Sequence, residues 1–215
     1  MTQLRKYPGH SSRPAPRRRH AVKMGVEANQ RLTASTALVL LILLTVEGVT
    51  VVQVRSLLTL HVFIGMLLVP PVLVKLGSTT WRFAKYYVGS DEYRRKGPPP
   101  LALRVLGPFV AVLTIVVFAS GILLLLGPTS LRSQFLLLHK ASFVLWFVVM
   151  TIHVLGHFGE TLRVSAKDWS SRASQVVAGS KNRRRALSAS LVVGLILAFA
   201  TIPHVGSWLQ EFRRP

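Results

Sequence analysis

Residues 134–157 read QFLLLHKASFVLWFVVMTIHVLGH, an apolar run with Lys140 as its one fixed charge and histidines at 139, 153 and 157. Hydrocarbon about 30 Å thick is crossed by roughly 20 residues of helix, and a helix satisfies all its backbone polar groups within one segment. The stretch therefore reads as a membrane-spanning helix. Outward from it, comparable blocks occupy residues 32–54, 57–76, 105–126 and 186–203. Half of the 215 residues are hydrophobic and mean hydropathy is +0.44. The expectation is an all-α integral membrane helical bundle with five spans.

The formal net charge of +20 is placed for a membrane and not for nucleic acid. Eight Lys/Arg precede the first span, six lie between Arg82 and Arg104, and seven between Arg163 and Arg185. The opposite turns carry only Arg55 and Arg132, with Lys140 just inside the fourth span. Cytoplasmic loops are enriched in Lys/Arg, which predicts a cytoplasmic amino terminus in a multi-pass cell-membrane protein. Five spans then put the carboxyl terminus outside, where Arg213 and Arg214 run mildly against the rule. Residues 1–31 lack the apolar core of a cleavable signal and read as a disordered basic tail facing anionic headgroups. Residues 159–185 read as a basic cytoplasmic loop, 186–203 as the fifth span and 204–215 as a short tail. Without cysteine the chain holds no disulfide, no thiolate-bound cluster and no c-type haem attachment.

Short connections fix neighbours. Gln53–Ser56 is too short for anything but an antiparallel hairpin between the first two spans, and Gly127-Pro128 makes a tight turn between the third and fourth. Trp81, Tyr86, Tyr87 and Tyr93 are interfacial aromatics of the 77–104 loop, where Gly97-Pro98-Pro99-Pro100 ends any helix. Pro70-Pro71 inside the second span predicts a kink, because two ladder donors are missing.

Four of the spans carry paired positions 14 residues apart: Ala34/Gly48, His61/Lys75, Gly107/Gly121 and His139/His153. On a helix this is close to four turns, so each pair shares a face, its members about 21 Å apart. Histidine on the second and fourth spans with glycine on the first and third is what a haem inside a bundle requires. Imidazoles ligate the iron, and glycines admit the flat macrocycle. The level Gly48, His61, Gly121, His139 is complete: counting from Arg55 for Gly48 and His61, from Gly127 for Gly121 and from Gln134 for His139, all four lie roughly 7–11 Å below the outer boundary. Glu47 beside it is expected to be paired, since a lone carboxylate at that depth is costly. Arg55 and Arg132, on the outer turns, are candidate partners for haem propionates.

This pattern resembles the four-helix haem core of the cytochrome b of quinol–cytochrome c oxidoreductases and its smaller bacterial relatives, over residues 32–158. In that family two b haems stack across the membrane. The resemblance implies a site for haem b at Gly48, His61, Gly121 and His139, with His61 and His139 on the iron. The inner level departs from it: Lys75 stands where a second ligand histidine belongs, opposite His153. One haem is expected, with Lys75 snorkelling to the cytoplasmic headgroups. His153 and His157 share a face, with Glu160 nearby, and read as a polar helix end; an inner site at His153 is the lesser expectation.

A bis-histidine iron has no open axial position, so its chemistry is one-electron transfer. The expected role is an electron-transfer subunit of an oxidoreductase, not a stand-alone enzyme. It would exchange electrons near the extracytoplasmic face between the quinone pool and an extracytoplasmic oxidoreductase. The alternative is a non-redox multi-pass membrane protein, a transporter component or an assembly or scaffolding subunit. Against a transporter, the spans lack a charged interior pathway and matched broken helices.

Overall fold

The computed structural model describes residues 16–88, 101–169 and 180–212. Among these, only Gln53, Gly127 and Pro128 lie outside a helix. The long helices are α1 (Pro16–Val52), α2 (Val54–Val88), α3 (Leu101–Leu126), α4 (Arg132–Trp169) and α5 (Ser180–Thr201). A 3₁₀ turn at Thr129–Leu131 precedes α4; another at Ile202–Val205 leads from α5 into the short α6 (Gly206–Phe212). Five segments are long and apolar enough to cross a membrane: Asn29–Val52, Val54–Val88, Val105–Leu126, Thr129–Gly156 and Asn182–Leu209. The described residues form an all-helical bundle, and the chain is a multi-pass membrane protein.

Every long helix starts before its apolar block, and α2 and α4 also run past the end of theirs. α1 begins at Pro16, within the stretch read as a basic tail, and α4 continues to Trp169, within the stretch read as a loop. α2 carries Trp81, Tyr86 and Tyr87 on helix to Val88, with Lys85 over the Trp81 ring one turn away at 4.7 Å. The reason is common to all three. Hydropathy marks where lipid ends, but a helix stops only at a breaker or a loss of partners. The Gly97–Pro100 breaker, Tyr93 and the side chains of His157 and Glu160 lie outside the described residues.

Both short connections are tight turns. Gln53 alone separates α1 from α2, and its carbonyl accepts from the amides of Ser56 (3.1 Å) and Leu57 (2.9 Å). Gly127 donates back to Leu123 O at 2.8 Å, and a Cβ there would overlap that carbonyl, so the turn requires glycine. Each hairpin packs on itself, and α1 lies along α4, so the first four helices form a square. α2 and α3 close its fourth side, leaving α2 diagonal to α4. α5 stands outside the square against α2.

The tightest core joins α1, α2 and α5 through Leu40, Ile64, Met66, Leu67, Leu68, Val72 and Ala198. Phe63 meets Phe199 edge-on at 5.2 Å beside it. Hydroxyls in the spans are satisfied on their own helices: Thr36 on Leu32 O, Thr114 on Val110 O and Thr201 on Leu197 O. Lipid offers them no other acceptor. The helical dihedrals continue through Pro70 and Pro71, where a kink was expected; the non-helical residue inside α2 is Leu57, at the turn (φ −109°, ψ 21°). Proline at position 71 removes the amide that would bond the carbonyl of Leu67. Gly194 of α5 sits against that same carbonyl.

Candidate functional site

His61 and His139 stand seven residues into α2 and α4, from Val54 and Arg132. Equal depth on diagonal helices brings their rings together: the centroids are 6.3 Å apart at an interplanar angle of 70°. Each ring is held by the helix with which its own forms a hairpin. The Nδ1 of His61 faces Glu47 Oε1 of α1 at 2.8 Å and Thr50 Oγ1 at 3.3 Å. Thr50, itself buried, donates to Glu47 Oε2 (3.0 Å) and to the Glu47 carbonyl (2.7 Å). The Nδ1 of His139 faces the Val117 carbonyl and Ser120 Oγ of α3, both at 3.1 Å. Ser120 donates in turn to that carbonyl at 3.0 Å.

A carboxylate and a carbonyl only accept, so both imidazoles carry their proton on Nδ1 when neutral. The lone pair is then on Nε2. No hydrogen bond from the described residues reaches either Nε2. A histidine that serves packing alone would be expected to bond both nitrogens in an apolar interior. This pair instead has one nitrogen of each ring anchored and the other available.

The glycines of this level differ in what they do. A Cβ at Gly121 would come within 3.0 Å of His139 Cε1 and 3.4 Å of its Nδ1, so the missing side chain admits the histidine ring itself. At Gly48, half-buried beside Glu47, nothing lies within 4 Å of where a Cβ would stand. Gly65, not singled out in the sequence, faces the carboxylate: a Cβ there would stand 3.5 Å from Glu47 Oε1, in ordinary contact. Two turns along α4 from His139, the buried Trp146 donates to Thr114 of α3 at 2.8 Å and fills the bundle beneath the pair.

The two turn arginines are placed differently. Arg55 is exposed at the α1–α2 turn. Arg132 lies over the Trp208 ring of α6 at 4.3 Å, while Trp208 donates to Leu124 O at 3.3 Å. The end of the chain thus folds onto the α3–α4 turn, one helical turn beyond Gly121.

At the other level the positions do not assemble. Lys75 does not snorkel: its Nζ donates across to the Thr33 carbonyl of α1 at 3.1 Å. Thr33 Oγ1 meets Ser78 Oγ at 3.0 Å, and Asn29 donates to Ser78 O at 3.2 Å. This polar cluster offers the ammonium an acceptor inside the bundle. Ala34 is buried beside it, Gly107 opens on free space, and His153 is half-buried on α4.

The ring spacing is that of two imidazoles sharing one metal. Two imidazoles bound through Nε2 to opposite sides of one metal, with bonds of about 2 Å, have ring centroids roughly 6 Å apart. Among the described residues no group of three or more His, Cys, Asp or Glu side chains could hold a metal ion. Comparison of the chain with family models, with curated proteins and with solved structures returned no match.

Proposed function

We propose that this chain is a b-type membrane cytochrome that carries single electrons through one haem b held by His61 and His139. The observation that supports the reading is the pair itself: imidazoles on diagonal helices at equal depth, 6.3 Å apart, each anchored by Nδ1 to a neighbouring helix. A haem so held supplies reversible one-electron transfer and no open coordination position. Glu47 and Ser120, with the Val117 carbonyl, fix the tautomer and direction of the rings, as the outer partners of metal-bound histidine do. Leu68 and Trp146, buried beneath the pair, keep water from the inner side of the site. Lys75, tied to Thr33, supports one haem and not two: its ammonium has no lone pair to offer.

The Lys/Arg distribution supports a cytoplasmic amino terminus in a cell membrane and a haem near the extracytoplasmic face. From there it would pass electrons between the quinone pool and an extracytoplasmic oxidoreductase, with Arg55 and Arg132 at the aqueous edge for the propionates. The protein purified in detergent is expected to show the split α band and sharp Soret band of low-spin haem b in its dithionite-reduced minus oxidised spectrum. Pyridine haemochrome should count one haem per chain. A colourless protein returns the reading to the non-redox scaffold, and two haems refute the vacant inner level. For orientation, a reporter fused after Gly127 should score outside and one after Gly97 inside; the reverse pattern overturns the outer-face placement.

A further inference from the structure

The two rings are anchored by acceptors of different charge. His139 donates to a neutral carbonyl and a hydroxyl, both at 3.1 Å, whereas His61 donates to the carboxylate of Glu47 at the shorter distance of 2.8 Å. Thr50 donates to the second oxygen of Glu47 and so holds the carboxylate in place beside the ring. An ionised acceptor makes the stronger hydrogen bond and draws the Nδ1 proton away from the ring. The nitrogen across the ring becomes the more basic donor. A more basic axial ligand stabilises ferric over ferrous iron, because the oxidised metal carries the greater positive charge to be balanced.

Resting on the haem reading above, we infer that Glu47 is a positioning residue that sets the redox potential: it makes His61 the electron-rich ligand and holds the site at low potential. His139, with its neutral acceptors, is the passive ligand. The asymmetry belongs to the chain, since it arises from a residue of α1 nearly two turns before the α1–α2 hairpin and not from the macrocycle. It also gives a role to a carboxylate deep in an apolar span, where glutamine would make the same contact at less cost.

The test is a redox titration of the haem-loaded protein and its Glu47→Gln variant. Glutamine keeps the side chain's length and its acceptor oxygen and removes the charge. The expected result is a rise in midpoint potential that changes the ferrous/ferric ratio at fixed potential at least tenfold, about 59 mV for one electron. The low-spin spectrum should be kept. Ser120→Ala, which removes a neutral acceptor from His139, should shift the potential by less than half as much. A second readout needs no haem: nitrogen-15 NMR of the histidine-labelled apoprotein should show His61 as the Nδ1–H tautomer, with that proton moving upfield in Glu47→Gln. If Glu47→Gln fails to fold, Thr50→Val serves instead. It removes a donor from the carboxylate and should lower the potential. Equal potentials in wild type, Glu47→Gln and Thr50→Val, with the low-spin spectrum intact, overturn this inference and leave the haem reading standing. A wild-type protein that takes up no haem overturns both.

Discussion

Alanine in place of either His61 or His139 is expected to abolish the low-spin haem spectrum, with the remaining protein colourless or carrying a five-coordinate, high-spin haem. The expectation follows from the geometry. The two rings come from diagonal helices, 6.3 Å apart. Removing one leaves the other without a counterpart across the bundle. His153→Ala should keep the spectrum, because Lys75, opposite it in the pattern, is bonded to Thr33. Gly121→Leu tests the same site from α3. A Cβ alone would press on His139 Cε1 at 3.0 Å, and a full side chain would turn the ring off Val117 and Ser120. Loss of bound haem by more than tenfold is expected, although both imidazoles remain. Unchanged spectra in His61→Ala and His139→Ala would falsify the ligand assignment and the function built on it.

The parts of this site that were legible in the sequence are those that depend on period and depth. The 14-residue spacing on apolar spans, with the short turns at Gln53 and Gly127, was enough to bring His61 and His139 to one level. The cost of a buried carboxylate was enough to say that Glu47 is paired. Which partner it has was not legible, because pairing across helices depends on rotation about each helix axis, and hydropathy leaves that rotation free. Thr50, Ser120 and Thr114 were missed for a related reason. Hydroxyls in apolar helices usually bond a carbonyl one turn back on the same helix, as Thr36 and Thr45 do here, so their composition signals nothing. Lys75 shows the reverse error. Snorkelling is the general solution for a lone lysine, but the Thr33, Ser78 and Asn29 cluster supplied an acceptor inside the bundle that no single-helix reading reveals.

Gly194→Leu is expected to be the most destabilising single substitution in the bundle outside the histidine site. Pro71 has no amide hydrogen, so the Leu67 carbonyl one turn earlier in α2 lacks the helical donor it would otherwise have. An unbonded carbonyl is costly in lipid. Gly194 brings the α5 backbone against this oxygen; a Cβ at that position would overlap it and would meet Leu67 Cδ1 at 3.1 Å. Only a hydrogen fits there, and it makes a Cα–H···O contact, worth about 0.5–1 kcal/mol, with the carbonyl the proline set free. A leucine at 194 removes that contact and drives α5 off α2. It also opens the core around Leu67, Leu68 and Ala198. Overpacking typically costs about 1–3 kcal/mol, and the upper end is expected here because the opposing atom is backbone and cannot rotate away. The midpoint of thermal unfolding in detergent should fall sharply, with Gly194→Ala intermediate. Pro71→Ala restores a donor to Leu67 and should be tolerated, while Gly194→Leu should remain destabilising on that background, because the overlap with the backbone persists. A Gly194→Leu protein as stable as wild type would mean that α5 does not seat on α2 at this residue.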